Sequence, residues 1–333
     1  MPPFLPALKS RVRALRRSIQ PASDRPAWVQ VEINNTCNLN CVMCPRESLR
    51  RPPKLMSLEE FDEIAAKCAA AGVQKLRLFL MGEPLLHPRL LAMIRAARKA
   101  GIPQVTINTN AALLNAELSK ELLHSGLTEI VFSLDGATRE TYEAIRRGAS
   151  YDEVTGAVEE MCRLAHQTSG TRPRLIVQTM VMAGVQTQDA TAEAPVAADT
   201  AAELAPFVAR WRKLADQVDV QVVREYQGVD GVTPVPRRLP GDELRPCPAL
   251  WEYLVILADG TLSPCCVDIN GDMSPGHIKD IPDLRDFWRR SPKLSALRRQ
   301  HCAFDFRNLP LCRDCDFINV GLLRRKEAAA TQP

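Results

Sequence analysis

The sequence has little net charge, no apolar run long enough to cross a membrane and no internal repeat. Its 43 Lys and Arg residues stand against 39 Asp and Glu residues, which gives a formal net charge of +4. This balance is too even to favour a nucleic-acid partner. A transmembrane helix needs about 20 consecutive apolar residues, and the sequence offers no such run. No segment resembles a secretory signal peptide, so we expect a cytoplasmic protein whose thiols stay reduced.

Cysteine, in contrast, is abundant, with 11 residues in a chain of 333. Disulfides are not expected in a reducing compartment, and metal binding therefore becomes the leading explanation for so many thiols. The cysteines are unevenly placed. One group lies near the start, a larger group lies near the end, and two lie alone between them; in order these are Cys37, Cys41 and Cys44, then Cys247, Cys265, Cys266, Cys302, Cys312 and Cys315, with Cys68 and Cys162 between. We expect these last two to be small buried apolar residues.

Short β-rich runs alternate with longer helical ones through most of the chain. The pattern predicts strands over 28–33, 75–80, 104–108, 129–133, 175–181 and 218–223. It predicts helices over 57–71, 88–100, 115–124, 138–146, 152–166 and 201–215, the first of them opened by a Ser57 and Glu60 capping box. Six strand–helix units predict a parallel sheet with right-handed crossovers. Because no dinucleotide glycine fingerprint is present, we favour an α/β fold with a partial (β/α)6 barrel over a doubly wound sheet.

The rest of the chain divides around this barrel. We predict a basic N-terminal tail over 1–27, the barrel over 28–227, a linker over 228–246, a small cluster-binding domain over 247–320 and a tail over 321–333. The stretch 184–200, rich in Ala, Thr, Gln and Asp, predicts a surface insertion in the fifth strand–helix unit. Residues 8–17 are compatible with a short basic amphipathic helix, for which solvent exposure is favoured over a lipid or partner contact.

The first cysteine group has the spacing Cys37-x3-Cys41-x2-Cys44 and follows the first predicted strand. Its ligands would therefore lie on a loop at the carboxyl end of the sheet, where barrel enzymes place their chemistry. Three thiolates can bind three irons of a 4Fe–4S cube and leave the fourth iron open to a chelating ligand. A zinc site is the alternative, but no fourth Cys or His lies close in sequence.

This triplet resembles the signature of the radical S-adenosylmethionine (SAM) superfamily, although Met43 stands where that family often has an aromatic residue. The resemblance implies that the amino and carboxylate groups of SAM chelate the open iron. It also implies that an electron from the cluster cleaves SAM to a 5′-deoxyadenosyl radical, which abstracts a hydrogen atom from the substrate. A reductant such as flavodoxin or ferredoxin is then required as a partner.

Further positions at predicted strand ends resemble segments that contact SAM in this family. Met81-Gly82-Glu83-Pro84 is similar to its Gly-Gly-Glu-Pro segment, which implies a close backbone approach at Gly82 and a carboxylate at Glu83 for the SAM ammonium. An ordinary turn is the alternative there. Resemblance implies SAM or substrate contacts at a larger set of side chains: Asn110, Ser133, Asp135, Arg147 of the Arg146-Arg147-Gly148 segment, and Gln178. A turn, a helix cap or a solvated helix end would also explain several of these.

The second cysteine group lies around a predicted hairpin. Asp259-Gly260 separates two β-rich runs, and Cys265 would end the second hairpin strand. The segment resembles the C-terminal SPASM and twitch extensions of radical SAM enzymes, in which a cysteine, a Gly-x4-Cys hairpin and a later Cys-x2-Cys bind auxiliary clusters. The resemblance implies one auxiliary 4Fe–4S cluster, held by Cys247, Cys265, Cys312 and Cys315, as in the single-cluster aminocyclitol dehydrogenase of butirosin biosynthesis. Zinc is the structural alternative, and Cys266 could replace Cys265 as the ligand.

These observations predict an enzyme that oxidises or epimerises a polar small molecule such as a sugar or aminocyclitol. A fully ligated auxiliary cluster suits a dehydrogenase, which must remove an electron from a substrate radical. An epimerase needs a thiol to return a hydrogen atom, for which Cys266 and Cys302 are the candidates. Two alternatives remain: a maturase that modifies a ribosomally made peptide, and a non-enzymatic scaffold that binds iron–sulfur clusters or zinc.

Overall fold

The computed structural model describes residues 23–181, 185–186, 195–196, 201–222, 246–313 and 315. The predicted basic helix over 8–17, nearly all of the predicted linker over 228–246 and the tail over 321–333 lie outside these residues. So does most of the predicted insertion over 184–200. Its described parts are two short strands, β6 (Val185–Gln186) and β7 (Pro195–Val196), which pair antiparallel with each other.

Six parallel strands follow one another across the main sheet in chain order. They are β1 (Trp28–Val31), β2 (Lys75–Arg77), β3 (Gln104–Thr109), β4 (Glu129–Ser133), β5 (Arg174–Val181) and β8 (Gln217–Val222). The order never reverses, as it would at the switch point of a doubly wound sheet. The prediction of a partial barrel is therefore confirmed, and every predicted strand is present with small differences at its ends.

Helices follow the strands and cover one face of the sheet. They are α1 (Leu58–Ala70), α2 (Leu90–Lys99), α3 (Ala116–Leu123), α4 (Arg139–Ile145), α5 (Tyr151–Gln167) and α6 (Ala201–Trp211). The predicted capping box is confirmed, because the Glu60 N–H donates to the Ser57 hydroxyl at 3.1 Å and the Ser57 N–H donates to the Glu60 carboxylate at 2.6 Å. Alternate strand residues such as Val29, Leu76 and Val105 are fully buried beneath these helices.

The C-terminal region extends this sheet, which the sequence did not indicate. After the short helix α7 (Ala249–Glu252), strand β9 (Tyr253–Ile256) pairs parallel with β1, and β10 (Leu262–Ser263) pairs antiparallel with β9. The predicted hairpin at Asp259-Gly260 is confirmed, although β10 ends before Cys265. Three further helices complete the region: α8 (Leu284–Arg290), α9 (Pro292–Ala303) and α10 (Pro310–Arg313). The second cysteine group is thereby attached directly to the edge of the barrel sheet.

Within the described residues, no helix is both long enough and apolar enough to cross a membrane.

Candidate active site

The first cysteine group lies on the long loop between β1 and α1, at the carboxyl end of the parallel strands. Its three thiols are partly exposed. Burial raises the pKa of Cys41 to about 11, the nearby charge of Arg146 opposes this shift, and the thiols of Cys44 and Cys37 raise the pKa further. The three sulfur atoms are therefore close enough to interact electrostatically, as the ligands of one cluster must be.

Backbone and side-chain contacts fix the shape of this loop. The Asn40 N–H donates to the Arg147 carbonyl at 3.1 Å, and the Val42 N–H donates to the Ile145 carbonyl at 3.0 Å. The end of α4 thus holds the middle of the cysteine loop. The structure shows Arg147, predicted as a SAM contact, holding this loop through its backbone; the role of its guanidinium stays a prediction.

Asn110, another predicted SAM contact, reaches the same loop from the end of β3. Its side-chain amide donates to the Asn38 side-chain oxygen at 3.0 Å and approaches the Cys37 sulfur at 3.7 Å. Only 4% of Asn110 is exposed. Hydrogen bonds to the sulfur ligands of an iron–sulfur cluster tune its reduction potential, so Asn110 is placed to act on the cluster ligand.

Glu83, in the segment after β2, stabilises the position of Asn110 through hydrogen bonds. Its carboxylate is 3% exposed and accepts three hydrogen bonds, from the Thr109 hydroxyl at 2.6 Å, the Asn110 N–H at 2.8 Å and the Leu85 N–H at 3.0 Å. Burial raises the pKa of Glu83, and these hydrogen bonds oppose the rise. The structure shows this carboxylate holding the ends of β2 and β3 together; its contact with the SAM ammonium stays a prediction.

Close packing within the protein also requires glycine at position 82. A side-chain carbon at this position would lie 1.8 Å from the Asn34 side-chain oxygen and 2.4 Å from the Asn34 carbonyl oxygen. Glycine is required because the chain packs against Asn34 after β1; a close approach of SAM to the Gly82 backbone stays a prediction. The Asn34 amide in turn donates to the Glu83 carbonyl at 3.0 Å.

Asp135 and Arg146 form a buried ion pair at the end of β4. The Arg146 Nε donates to Asp135 Oδ2 at 2.9 Å, the Arg146 Nη2 donates to the same oxygen, and the Met180 N–H donates to Asp135 Oδ1 at 3.0 Å. Asp135 is fully buried, and both of its carboxylate oxygens accept hydrogen bonds from the protein; its predicted contact with SAM or substrate stays a prediction. Burial alone would lower the pKa of Arg146, but the charges of Asp135 and Cys41 raise it above its ordinary value.

The two remaining predicted contacts lie side by side at strand ends. Ser133 pairs in register with Gln178, and the Leu134 N–H donates to the Gln178 carbonyl at 2.7 Å. Ser133 is half-buried and Gln178 is 8% exposed. Both face the side of the sheet that the helices leave uncovered, which we call the inner face. Their contact with SAM or substrate stays a prediction.

The second cysteine group gathers beside the inner face. Burial raises the pKa of Cys247 to about 12, and the neighbouring thiols of Cys315, Cys312 and Cys266 raise it further. Burial also raises the pKa of Cys265, to which Cys266 and Cys247 add. The four thiols that resemblance to SPASM proteins selects are thus brought together, with Cys266 among them.

Cys266 differs from the other thiols of the second cysteine group because it contacts a tyrosine hydroxyl. The Tyr253 hydroxyl lies 3.4 Å from the Cys266 sulfur, and the Tyr253 ring stacks on Trp28 with ring centroids 3.9 Å apart. Cys302 lies on α9 and is partly exposed. Cys68 and Cys162 are fully buried in the helix-covered core, which confirms their predicted packing role.

A buried ion pair joins the two cysteine regions. Glu32, at the end of β1, is fully buried and binds Arg51 at 2.8 Å. Arg51 also donates to the Ile269 carbonyl at 2.7 Å, and the Ala258 N–H donates to Glu32 at 2.8 Å. Next to it, Arg50 pairs with Asp272 at 2.5 Å. The segment that follows Cys44 is therefore bound to the loop that follows Cys266, a connection no sequence motif indicated.

The donor sets fit the groups that the sequence predicts. Soft thiol ligands suit iron–sulfur clusters, and the Asn110 and Arg146 N–H groups directed at Cys37 and Cys41 suit a negatively charged cluster. Within the described residues, no three His, Cys, Asp or Glu side chains converge closely enough to hold a single metal ion. When bound, the first cluster and SAM would supply reductive cleavage and a 5′-deoxyadenosyl radical.

Comparison with known proteins identifies the class. The radical SAM superfamily model matches residues 31–189, and the SPASM model, an iron–sulfur cluster-binding domain, matches residues 247–316. The chain carries a radical SAM domain followed by a SPASM domain. It is a radical SAM enzyme whose cofactors are SAM and a 4Fe–4S cluster, with an auxiliary iron–sulfur cluster in the SPASM domain.

Two solved structures have the same fold at low sequence identity. BtrN, in complex with AdoMet and 2-DOIA, is 16% identical with a TM-score of 0.57 over 87% of this chain and 92% of its own. Streptococcus suis SuiB, bound to precursor peptide SuiA, is 15% identical with a TM-score of 0.64 over 88% of this chain and 71% of its own. At these identities the likeness shows the fold alone.

Curated relatives are similar over a shorter stretch. A GTP 3′,8-cyclase of Chlorobaculum tepidum is 33% identical over 135 residues, which are 40% of each chain. One of Peptoclostridium acidaminophilum is 32% identical over 137 residues, 40% of this chain and 42% of its own. The chain thus spans about two fifths of the length of these relatives.

Proposed function

We propose that this radical SAM enzyme oxidises a polar small molecule held against the inner face of the sheet. The observation that carries the proposal is the gathering of Cys247, Cys265, Cys312 and Cys315 beside that face. Four thiols match the ligand number of a closed cluster. When bound, this auxiliary cluster would supply an acceptor for the electron that an oxidised substrate must lose. We propose Gly82, Glu83, Asn110, Asp135 and Arg147 as the frame of the SAM site, with Ser133 and Gln178 as its contacts.

Epimerisation is the second candidate, and the Cys266–Tyr253 pair favours it. Cys266 lies beside the inner face, with its sulfur 3.4 Å from the Tyr253 hydroxyl. A thiol there can return a hydrogen atom to a substrate carbon. Of the two thiols that the sequence suggested as donors, Cys266 is the better placed, because Cys302 lies on a helix of the C-terminal region. Peptide maturation remains an alternative, and an external reductant such as flavodoxin or ferredoxin would serve any of these reactions.

Deuterium incorporation distinguishes these reactions. The anaerobically reconstituted enzyme is incubated in D2O with SAM, reductant and panels of sugars, aminocyclitols and peptides. Oxidation yields a product two hydrogens lighter, with SAM consumed in proportion. Epimerisation yields a product of unchanged composition that carries one solvent deuterium, and C266A abolishes that label while C302A retains it. Reaction with GTP as the one accepted substrate would contradict both proposals and favour the chemistry of the curated relatives.

A further inference from the structure

The inner face carries polar groups that the proposed chemistry has not used. Residues on β2 and β3 alternate between the helix-covered core and the inner face, so Leu76, Leu78, Val105 and Ile107 are fully buried in the core. Arg77 and Thr106, at the alternate positions, face the inner side and are paired in register. Asn108 lies two residues further along β3 on the same face.

Arg77 is half-buried and has aromatic rings as its neighbours in place of acceptors. Its guanidinium carbon lies 4.9 Å from the centroid of the Trp28 ring and 4.9 Å from that of Phe79. Ring faces stabilise the positive charge but do not accept the N–H groups at the edge of the guanidinium plane. Among the described residues, none accepts a hydrogen bond from Arg77 or forms an ion pair with it.

Other buried arginines each bind at least one acceptor within the protein, although the Arg298 Nη2 has no partner among the described residues. Arg51 binds Glu32, and Arg146 binds Asp135. Arg298 also lies over an aromatic ring, 4.4 Å from the centroid of Trp288, but it donates to two backbone carbonyls at 2.8 and 2.9 Å. Arg77 is therefore set apart from these residues by donors that point to no described acceptor.

The acidic groups nearest to Arg77 do not balance its charge. Glu129 is the nearby carboxylate, and it accepts from Lys75 at 3.1 Å. Cys266 and Tyr253 also lie within electrostatic range of Arg77. Lys75 therefore occupies the nearby carboxylate, and no described carboxylate forms an ion pair with Arg77.

Two further groups beside Arg77 also lack partners. The Thr106 hydroxyl and the Asn108 side-chain oxygen are buried, and neither has a hydrogen-bond partner among the described residues. Thr106 as a whole is 1% exposed. A buried polar atom without a partner is costly, so such atoms mark places where a bound molecule completes the hydrogen bonds. The hydroxyl can donate to an anion, and the Asn108 oxygen can accept from a hydroxyl group.

We propose that Arg77, Thr106 and Asn108 form a subsite for an oxyanion of the substrate, either a phosphate or a carboxylate. The inference rests on the proposed function, because it takes the inner face as the place where the substrate binds. A guanidinium offers paired donors that fit both oxyanions, and a partly desolvated site strengthens the interaction. The same charge disfavours a free ammonium group, so the substrate is an acidic hydroxylated molecule, such as a phosphorylated or carboxylated sugar, in preference to an unmodified aminocyclitol.

Binding of simple anions to the reconstituted, SAM-bound enzyme tests this subsite. Inorganic phosphate and acetate are titrated separately by anaerobic calorimetry, so that the two oxyanion sources are distinguished. We expect the wild-type enzyme to bind at least one of them and R77Q to bind it about tenfold to a hundredfold more weakly, because charge-assisted hydrogen bonds are lost. R163Q removes the same charge from an exposed ion pair on α5 and should bind like the wild type.

Two conservative variants protect the test against misfolding. R77K keeps the charge but loses the paired donors, and T106V keeps the shape but loses the hydroxyl; both should fall between wild type and R77Q. Uncoupled formation of 5′-deoxyadenosine by the wild type and by R163Q checks that SAM cleavage is intact, and its absence in the wild type would count against the proposed function instead. Equal anion affinity in wild type, R77Q and R77K, or no anion binding by the wild type, would overturn the subsite.

Discussion

Asp135 and Arg146 form a buried ion pair whose free guanidinium nitrogen reaches the first cysteine loop. The Arg146 Nε binds Asp135 at 2.9 Å, and its Nη1 lies 3.9 Å from the Cys41 sulfur. Asp135 is fully buried and Arg146 is 7% exposed. The end of β4 is thus linked to a cluster ligand through one charged side chain, which is itself oriented by a second.

Replacing Asp135 by Ala should destabilise the chain strongly, because Arg146 would remain as a buried charge without its partner. The expected loss is about 3–5 kcal/mol in the free energy of unfolding, measured by urea denaturation. E160Q, which breaks an exposed pair with Arg163 on α5, should cost far less, because solvent and salt screen an exposed pair. A D135A variant as stable as E160Q would show that the pair contributes little.

Replacing Glu83 by Ala should lower both stability and SAM affinity. The variant leaves the Thr109 hydroxyl and the Asn110 N–H without their acceptor, and it loosens the Asn110 contact with Cys37. The variant also loses the proposed charge-assisted hydrogen bond from the SAM ammonium to Glu83. Such a bond contributes about 1.5–3 kcal/mol, so we expect roughly a tenfold to hundredfold weaker SAM affinity by equilibrium dialysis. E83Q, which keeps one acceptor oxygen, should lose less. SAM affinity unchanged in E83A would limit Glu83 to a role in folding.

The strands could be predicted from the sequence because their signal is local. Apolar runs with helical segments between them located all six barrel strands. The βα repeat also predicted that these strands lie side by side in chain order. The pairing of β9 with β1 could not be predicted, because it joins residues more than 200 positions apart that share no motif. The region that the sequence assigned to a separate domain therefore continues the barrel sheet.

The site residues also divide into those with a local sequence signal and those that depend on distant parts of the chain. Cysteine spacing and strand-end positions located Cys37, Cys41 and Cys44, and resemblance added the second group. The protein contacts of Gly82, Glu83 and Asp135 could not be predicted, because each depends on a partner from another segment of the chain: Asn34, Thr109 and Arg146. Arg77 and Tyr253 lie in no recognised motif. They are placed on the inner face by two features together: the alternation of side chains along a strand, and the order of the strands in the sheet.

Acid should destabilise the C-terminal region through His301. Burial lowers the pKa of His301 from 6.5 to about 4, and its ring nitrogen accepts the Cys247 N–H at 3.3 Å. Since the folded state favours the neutral ring, its contribution is fully present above pH 6.5 and is lost as pH falls towards about 4. The loss is up to about 3 kcal/mol.

Denaturation of the metal-free chain across this pH range measures the effect, because acid damage to clusters is then avoided. H301Q keeps an acceptor for the Cys247 N–H but does not titrate, so its stability should change less with pH. Parallel pH profiles for H301Q and wild type would contradict the assignment to His301.

Iron content and SAM cleavage, measured together on a triple Ala variant at Cys37, Cys41 and Cys44, test the central claim most directly. The reconstituted wild type should hold about eight irons per chain and convert SAM to 5′-deoxyadenosine and methionine. The variant should keep about four irons, bound by the second cysteine group, with a spectrum insensitive to SAM and no cleavage. Undiminished cleavage in the variant, or zinc in place of its remaining iron, would contradict the account of two iron–sulfur sites with separate roles.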